Sequence, residues 1–149
     1  MNRFPFGFLA VCAIVGLLSL GCGEADPGVP VSGTVTMGGQ GQGGVRAYFI
    51  PSSTDASGPK FYGAITDTSG KFQAKVPPGK YSVMLSKKVD KSGNVPSDSE
   101  DPELDYTQLE ASGMLREAMP QQYTSPTSTP ISVEIPPEGK DLEPFEVTM

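Results

Sequence analysis

A thiol, a run of carboxylates and a group of aromatic rings are the side chains here with chemistry to offer, and one missing residue type limits all three. The 149-residue chain has no histidine. That removes the commonest general base, the imidazole metal ligands and histidine activation of a serine or cysteine nucleophile. Of two cysteines, Cys12 sits inside an apolar run, and Cys22 follows Gly21 at the end of it. Asp98, Glu100, Asp101, Glu103 and Asp105 crowd one short stretch. Hard cations take oxygen ligands, so calcium is the metal these acids would suit, with Asp98, Asp101 and Asp105 as weak candidates. Their spacing lacks the central glycine and terminal glutamate of a calcium loop, so a solvated acidic loop is the plainer expectation and no metal or cofactor is assigned. Gly38 to Gly44 is rich in glycine, but the lysine and helix of a phosphate cradle do not follow, and a floppy hairpin loop is expected. Tyr48, Phe61, Tyr62 and Tyr123 could form a platform for sugar or peptide. Packing under a long loop is the plainer reading, and the absence of tryptophan counts against carbohydrate. No enzyme activity is expected.

The surroundings of Cys22 indicate its use. Arg3 precedes an apolar run ending in Leu20-Gly21-Cys22, the layout of a bacterial secretory leader. A cysteine directly after the small residue suggests cleavage between Gly21 and Cys22, with Cys22 carrying lipid as the new N-terminus. Ser19-Leu20-Gly21-Cys22 resembles a lipobox in part, since Ser19 stands where leucine is preferred. A leader cleaved without lipid and an uncleaved span are the competing readings. Phe6 to Leu20 is 15 residues, short of the roughly 20 a spanning helix needs. The expected organisation is a leader over 1–21, a Pro/Gly-bearing tether over 22–28 and one domain over 29–149, placed in the cell envelope facing the periplasm or exterior. Its partners would be the membrane, through the lipid, and an envelope protein or polysaccharide.

Removing residues 1 to 21 leaves 128, enough for one domain with a core and no disulfide. With Arg3 gone, the formal charge moves from −6 to −7. An acidic surface without a basic stripe makes nucleic acid a poor partner. Eighteen glycines and fifteen prolines punctuate the chain too often for long helices and fit short strands joined by turns.

Those strands are legible. Val29, Val31, Gly33, Val35 and Met37 alternate with polar residues, as do Val45, Ala47 and Phe49. Tyr48 and Ile50 then point away from Phe49. Phe61 to Thr66 is a strand, and Thr66 to Phe72 a tight turn in which Asp67 and Ser69 can bond the backbone. Phe72, Ala74 and Val76 continue on one face, Tyr81, Val83 and Leu85 follow, and Ile131 to Ile135 and Phe145 to Met149 close the series. Without intervening helices, this favours an antiparallel β-sandwich. Residues 90–119 form an acidic insertion, partly helical. Asp101-Pro102 could start its helix, with Leu104, Leu109 and Leu115 facing inward.

Val31-Ser32-Gly33-Thr34-Val35, Phe49-Ile50-Pro51, Thr66-Asp67 with Gly70-Lys71-Phe72, and Pro78-Gly79-Lys80-Tyr81 together resemble transthyretin-like, carboxypeptidase regulatory-like domains. Met119-Pro120-Gln121-Gln122-Tyr123 with Thr129-Pro130-Ile131 is similar to the tail of small bacterial lipoproteins built on that domain. The resemblance implies an all-β, seven-stranded Greek-key sandwich serving as an accessory or anchoring module. Some transthyretin-like proteins hydrolyse a purine-breakdown intermediate with histidines, and this chain has none to offer.

Overall fold

Period-two alternation becomes strand wherever the apolar half has a core to face. The computed structural model describes residues 28–53, 61–96 and 106–149. Within them run β1 (Val29–Met37), β2 (Gln40–Gly41), β3 (Arg46–Pro51), β4 (Tyr62–Ile65), β5 (Lys71–Val76), β6 (Gly79–Ser86) and β7 (Lys88–Val89). The helix α1 (Tyr106–Ala111) follows, then β8 (Arg116–Glu117), β9 (Ser132–Ile135), β10 (Lys140–Asp141) and β11 (Phe145–Val147). The protein is mostly β, with several antiparallel pairings.

Two main sheets form. One has the order β4-β3-β6-β9 and is antiparallel throughout. The other is built on β1, which pairs antiparallel with β5 and β2. The expectation of purely antiparallel pairing fails at the far edge of β1, where β10 and β11 run parallel to it. Parallel neighbours need a long connection, and the rest of the domain supplies one, since Thr36 and its partner Glu146 lie 110 positions apart. A third, two-stranded sheet pairs β7 with β8.

Residues from both main sheets meet in one apolar cluster. Val31, Val35, Phe72, Val76, Phe145 and Val147 come from the mixed sheet; Ala47, Phe49, Tyr81, Val83, Leu85 and Ile135 come from the antiparallel one. Phe49, fully buried, lies at the centre of this cluster. Its ring lies 6.0 Å from Phe72 and 6.3 Å from Tyr81, and Phe72 stacks at 5.9 Å on Phe145. Burial of one such ring is worth about 1.5–3 kcal/mol.

The glycine-rich segment is a second correction, because it is packed and not floppy. A Cβ on Gly41 would come within 1.9 Å of the Ser69 carbonyl oxygen, so only glycine lets the two turns touch. Buried Thr66 joins them: its Oγ1 donates to the Gln42 carbonyl at 2.6 Å and accepts the Val45 N–H at 2.9 Å. Asp67 caps the 66–72 turn by accepting from Ser69 N, Ser69 Oγ and Lys71 N. The Ser69 hydroxyl, and after it the Lys71 N–H, hold its carboxyl below the usual range. Asp90-Lys91-Ser92-Gly93-Asn94 repeats the device, with Ser92 N and Asn94 N donating to Asp90 Oδ1. Of residues 90–119, the described part holds α1 and β8, with Leu115 and Met119 buried and Leu109 half-buried. Asp101-Pro102 and Leu104 lie outside the described residues.

Candidate binding surface

Alternation along β3 sends Ala47 and Phe49 inward and Arg46, Tyr48 and Ile50 outward. The β3–β6 register sets Met84 beside Tyr48, Ser82 beside Ile50 and Ser86 beside Arg46. On the other flank Phe61, just before β4, meets Tyr48 edge-on with ring centroids 6.1 Å apart. The result is a trough of about 570 Å³ on the outer face of the antiparallel sheet. Tyr48, Ile50 and Met84 form its floor, and Phe61 and Thr124 are among its other lining residues. Phe61 remains 63% exposed, and Ile65, farther along the same face, 54%. Apolar surface left open in a cluster is the kind that marks a binding region.

The far end of the trough is polar and tightly built. Glu117 on β8 accepts from Ser86 Oγ at 2.7 Å, Lys87 N at 2.7 Å and Met119 N at 3.0 Å. The Lys88 ammonium lies 3.3 Å from the same carboxylate and also bonds Glu110 next to the end of α1. Burial pushes the Glu117 carboxyl up, but the two backbone N–H groups, the Ser86 hydroxyl and Lys88 outweigh it and hold the group below its ordinary value. Burial likewise pulls Lys88 down, and its two carboxylate partners more than restore it, raising it above the ordinary lysine value. Glu117 and Lys88 therefore stay ionised at neutral pH, and their contacts tie the β7–β8 excursion to the sheet. At the near wall, Thr124 follows a short 3-10 turn (Gln121–Tyr123) and donates its hydroxyl to the Gln121 carbonyl at 2.9 Å.

The four aromatics proposed as one platform are divided between the two faces. Tyr48 and Phe61 share the trough. Tyr62 packs on the core edge-on to Tyr81, with centroids 6.1 Å apart. Tyr123 is buried, its hydroxyl accepting the Thr148 N–H at 3.1 Å. Tyr81 fills the core as expected. Gly21, Cys22, Asp98, Asp101 and Asp105 lie outside the described residues. Among those described, no group of three or more His, Cys, Asp or Glu side chains is placed to hold a metal. Sequence reasoning missed Glu117. It lies 31 positions from Ser86, and no local pattern announces that pairing. Comparison of the chain with protein-family models, curated proteins and solved structures finds no match.

Proposed function

We propose that this protein is a lipid-anchored, non-catalytic module of the cell envelope, a transthyretin-like sandwich whose antiparallel sheet binds a partner through its outer face. The observation that carries the binding role is the open trough, with Phe61 63% exposed above a floor of Tyr48, Ile50 and Met84. The seven-strand part of that reading is supported by β1, β3, β4, β5, β6, β9 and β11, the strands of three or more residues among the described residues. The anchor reading rests on the order of Arg3, the apolar run and Gly21-Cys22. A chain without histidine, in which Asp67, Asp90 and Glu117 are engaged in capping and cross-linking, offers little for acid–base work at those positions. The partner would be an envelope protein or polysaccharide.

Two measurements test this. Radiolabelled fatty acid should enter the wild type and not Cys22→Ala; equal labelling rejects the anchor. Unlipidated Cys22→Ala protein should still co-sediment with envelope fragments, and the added change Phe61→Ser should reduce that retention. Retention indifferent to Phe61 rejects the trough as the binding face.

A further inference from the structure

Resting on that reading of the trough as a binding face, we infer that its ligand is an uncharged saccharide, one ring seated on Tyr48 and Phe61 with hydroxyls reaching Ser86, Lys88 and Thr124.

The apolar part suits the C–H face of a sugar ring. Tyr48 and Phe61 stand nearly perpendicular, at 80°, so one offers a flat face where the other offers an edge. Met84 and Ile50 fill the floor between them and the sheet, and a thioether adapts to irregular apolar shapes. The volume of about 570 Å³ is in the range of small-ligand sites, about 300–1,000 Å³.

The polar end selects for hydroxyls. Ser86 spends its proton on Glu117, and Thr124 spends its own on the Gln121 carbonyl. Both oxygens keep lone pairs that accept from a ligand O–H. Lys88 directs N–H bonds to Glu110 and Glu117, and an ammonium has a third to donate. The ligand therefore needs both donors and acceptors on one edge, which a polyhydroxyl ring has and an aliphatic chain lacks.

Charge excludes the ionic alternatives. The two charged residues lining the trough, Lys88 and Glu117, pair with each other at 3.3 Å and cancel, so the lining offers no net charge to hold an anionic ligand. A cationic ligand finds Glu117 already engaged by Ser86, Lys87, Met119 and Lys88. A neutral polyhydroxyl compound meets neither obstacle.

The test is a titration of full-length protein in detergent micelles, labelled at its methionine methyls, with maltose, cellobiose and diacetylchitobiose. Glucuronic acid and glucosamine serve as charged comparisons. At least one neutral disaccharide should move the Met84 methyl resonance. Tyr48→Ala should weaken that binding about tenfold, the scale of one lost stacking contact, while Tyr48→Phe keeps it and reports that the fold is intact. No movement of Met84 with any neutral sugar overturns the inference. So does unchanged affinity in Tyr48→Ala, or equal binding of the charged sugars. If the sugars fail while Phe61→Ser still loses envelope retention, the trough remains a binding face and only its ligand class is wrong.

Discussion

The outer faces of the two main sheets are chemically opposite. On the mixed sheet the outward residues include Ser32, Thr34 and Thr36 of β1, Lys71, Gln73 and Lys75 of β5, and Glu146 of β11. Several satisfy one another: Ser32 Oγ donates to Asp141 at 2.7 Å, and Glu146 accepts from Thr36 Oγ1 and from Gly39 N. Thr36 first, then the Gly39 N–H, hold the Glu146 carboxyl below its usual value. On the antiparallel sheet the corresponding positions are Tyr48, Ile50 and Met84, extended by Phe61 and Ile65. The first face is polar, with hollows of about 600 and 660 Å³ lined largely by these same hydrophilic residues. The second leaves Phe61 63% exposed beside half-buried Tyr48, Ile50 and Met84, and exposed apolar clusters of this kind accompany binding surfaces.

The largest expected effect contrasts neighbours on β3. Phe49→Ala removes the ring that bridges the sheets and should cost about 3–5 kcal/mol in urea unfolding. Next comes the packed glycine turn. Gly70 has φ 82°, and a Cβ there would sit 2.6 Å from Gln42 N, so Gly70→Ala should cost more than about 1 kcal/mol. A loss near zero would restore the picture of a loose loop. Third is acid sensitivity at Glu117. Its folded carboxyl titrates below the ordinary 4.5, so its contribution is complete above that value and fades as pH falls through the depressed one. Urea midpoints between about pH 6 and pH 3 should fall less steeply in Glu117→Gln than in the wild type; parallel curves would deny the carboxylate that role. The smallest effects belong to the outward faces. Tyr48→Ser and Ser32→Ala, at half-buried outward positions, should each cost about 1 kcal/mol or less. A large loss at Tyr48 would make its face structural.

How much of this was legible follows from how local each cause is. Strict alternation along β1 and β5 has one explanation, and it located those strands and their buried residues. The outward direction of Tyr48 and Ile50 followed from Phe49 being inward. The turn at Asp67 was readable from Asp, Ser and Gly, whereas the same letters at Asp90, Ser92 and Gly93 went unused because residues 90–119 read as an acidic insertion. Parallel pairing of β1 with β11 was not legible, because register between distant segments leaves no trace in either one. The glycine loop misled for a related reason. Glycines that permit flexibility and glycines that permit close contact are the same residues, and only the Ser69 carbonyl beside Gly41 decides between them. Phe61 and Glu117 needed tertiary placement before either could be assigned to the trough.

Hydroxyl-radical footprinting of the full-length protein, purified and within its native envelope, tests the central claim most directly. In the purified protein Tyr48 and Phe61 should oxidise quickly while Phe49 and Tyr81 do not, and in the envelope Tyr48 and Phe61 should become protected while Ser32 and Gln73 keep their water. Equal oxidation of Tyr48 and Phe61 in both settings would mean that nothing occupies this face, and the account would be wrong.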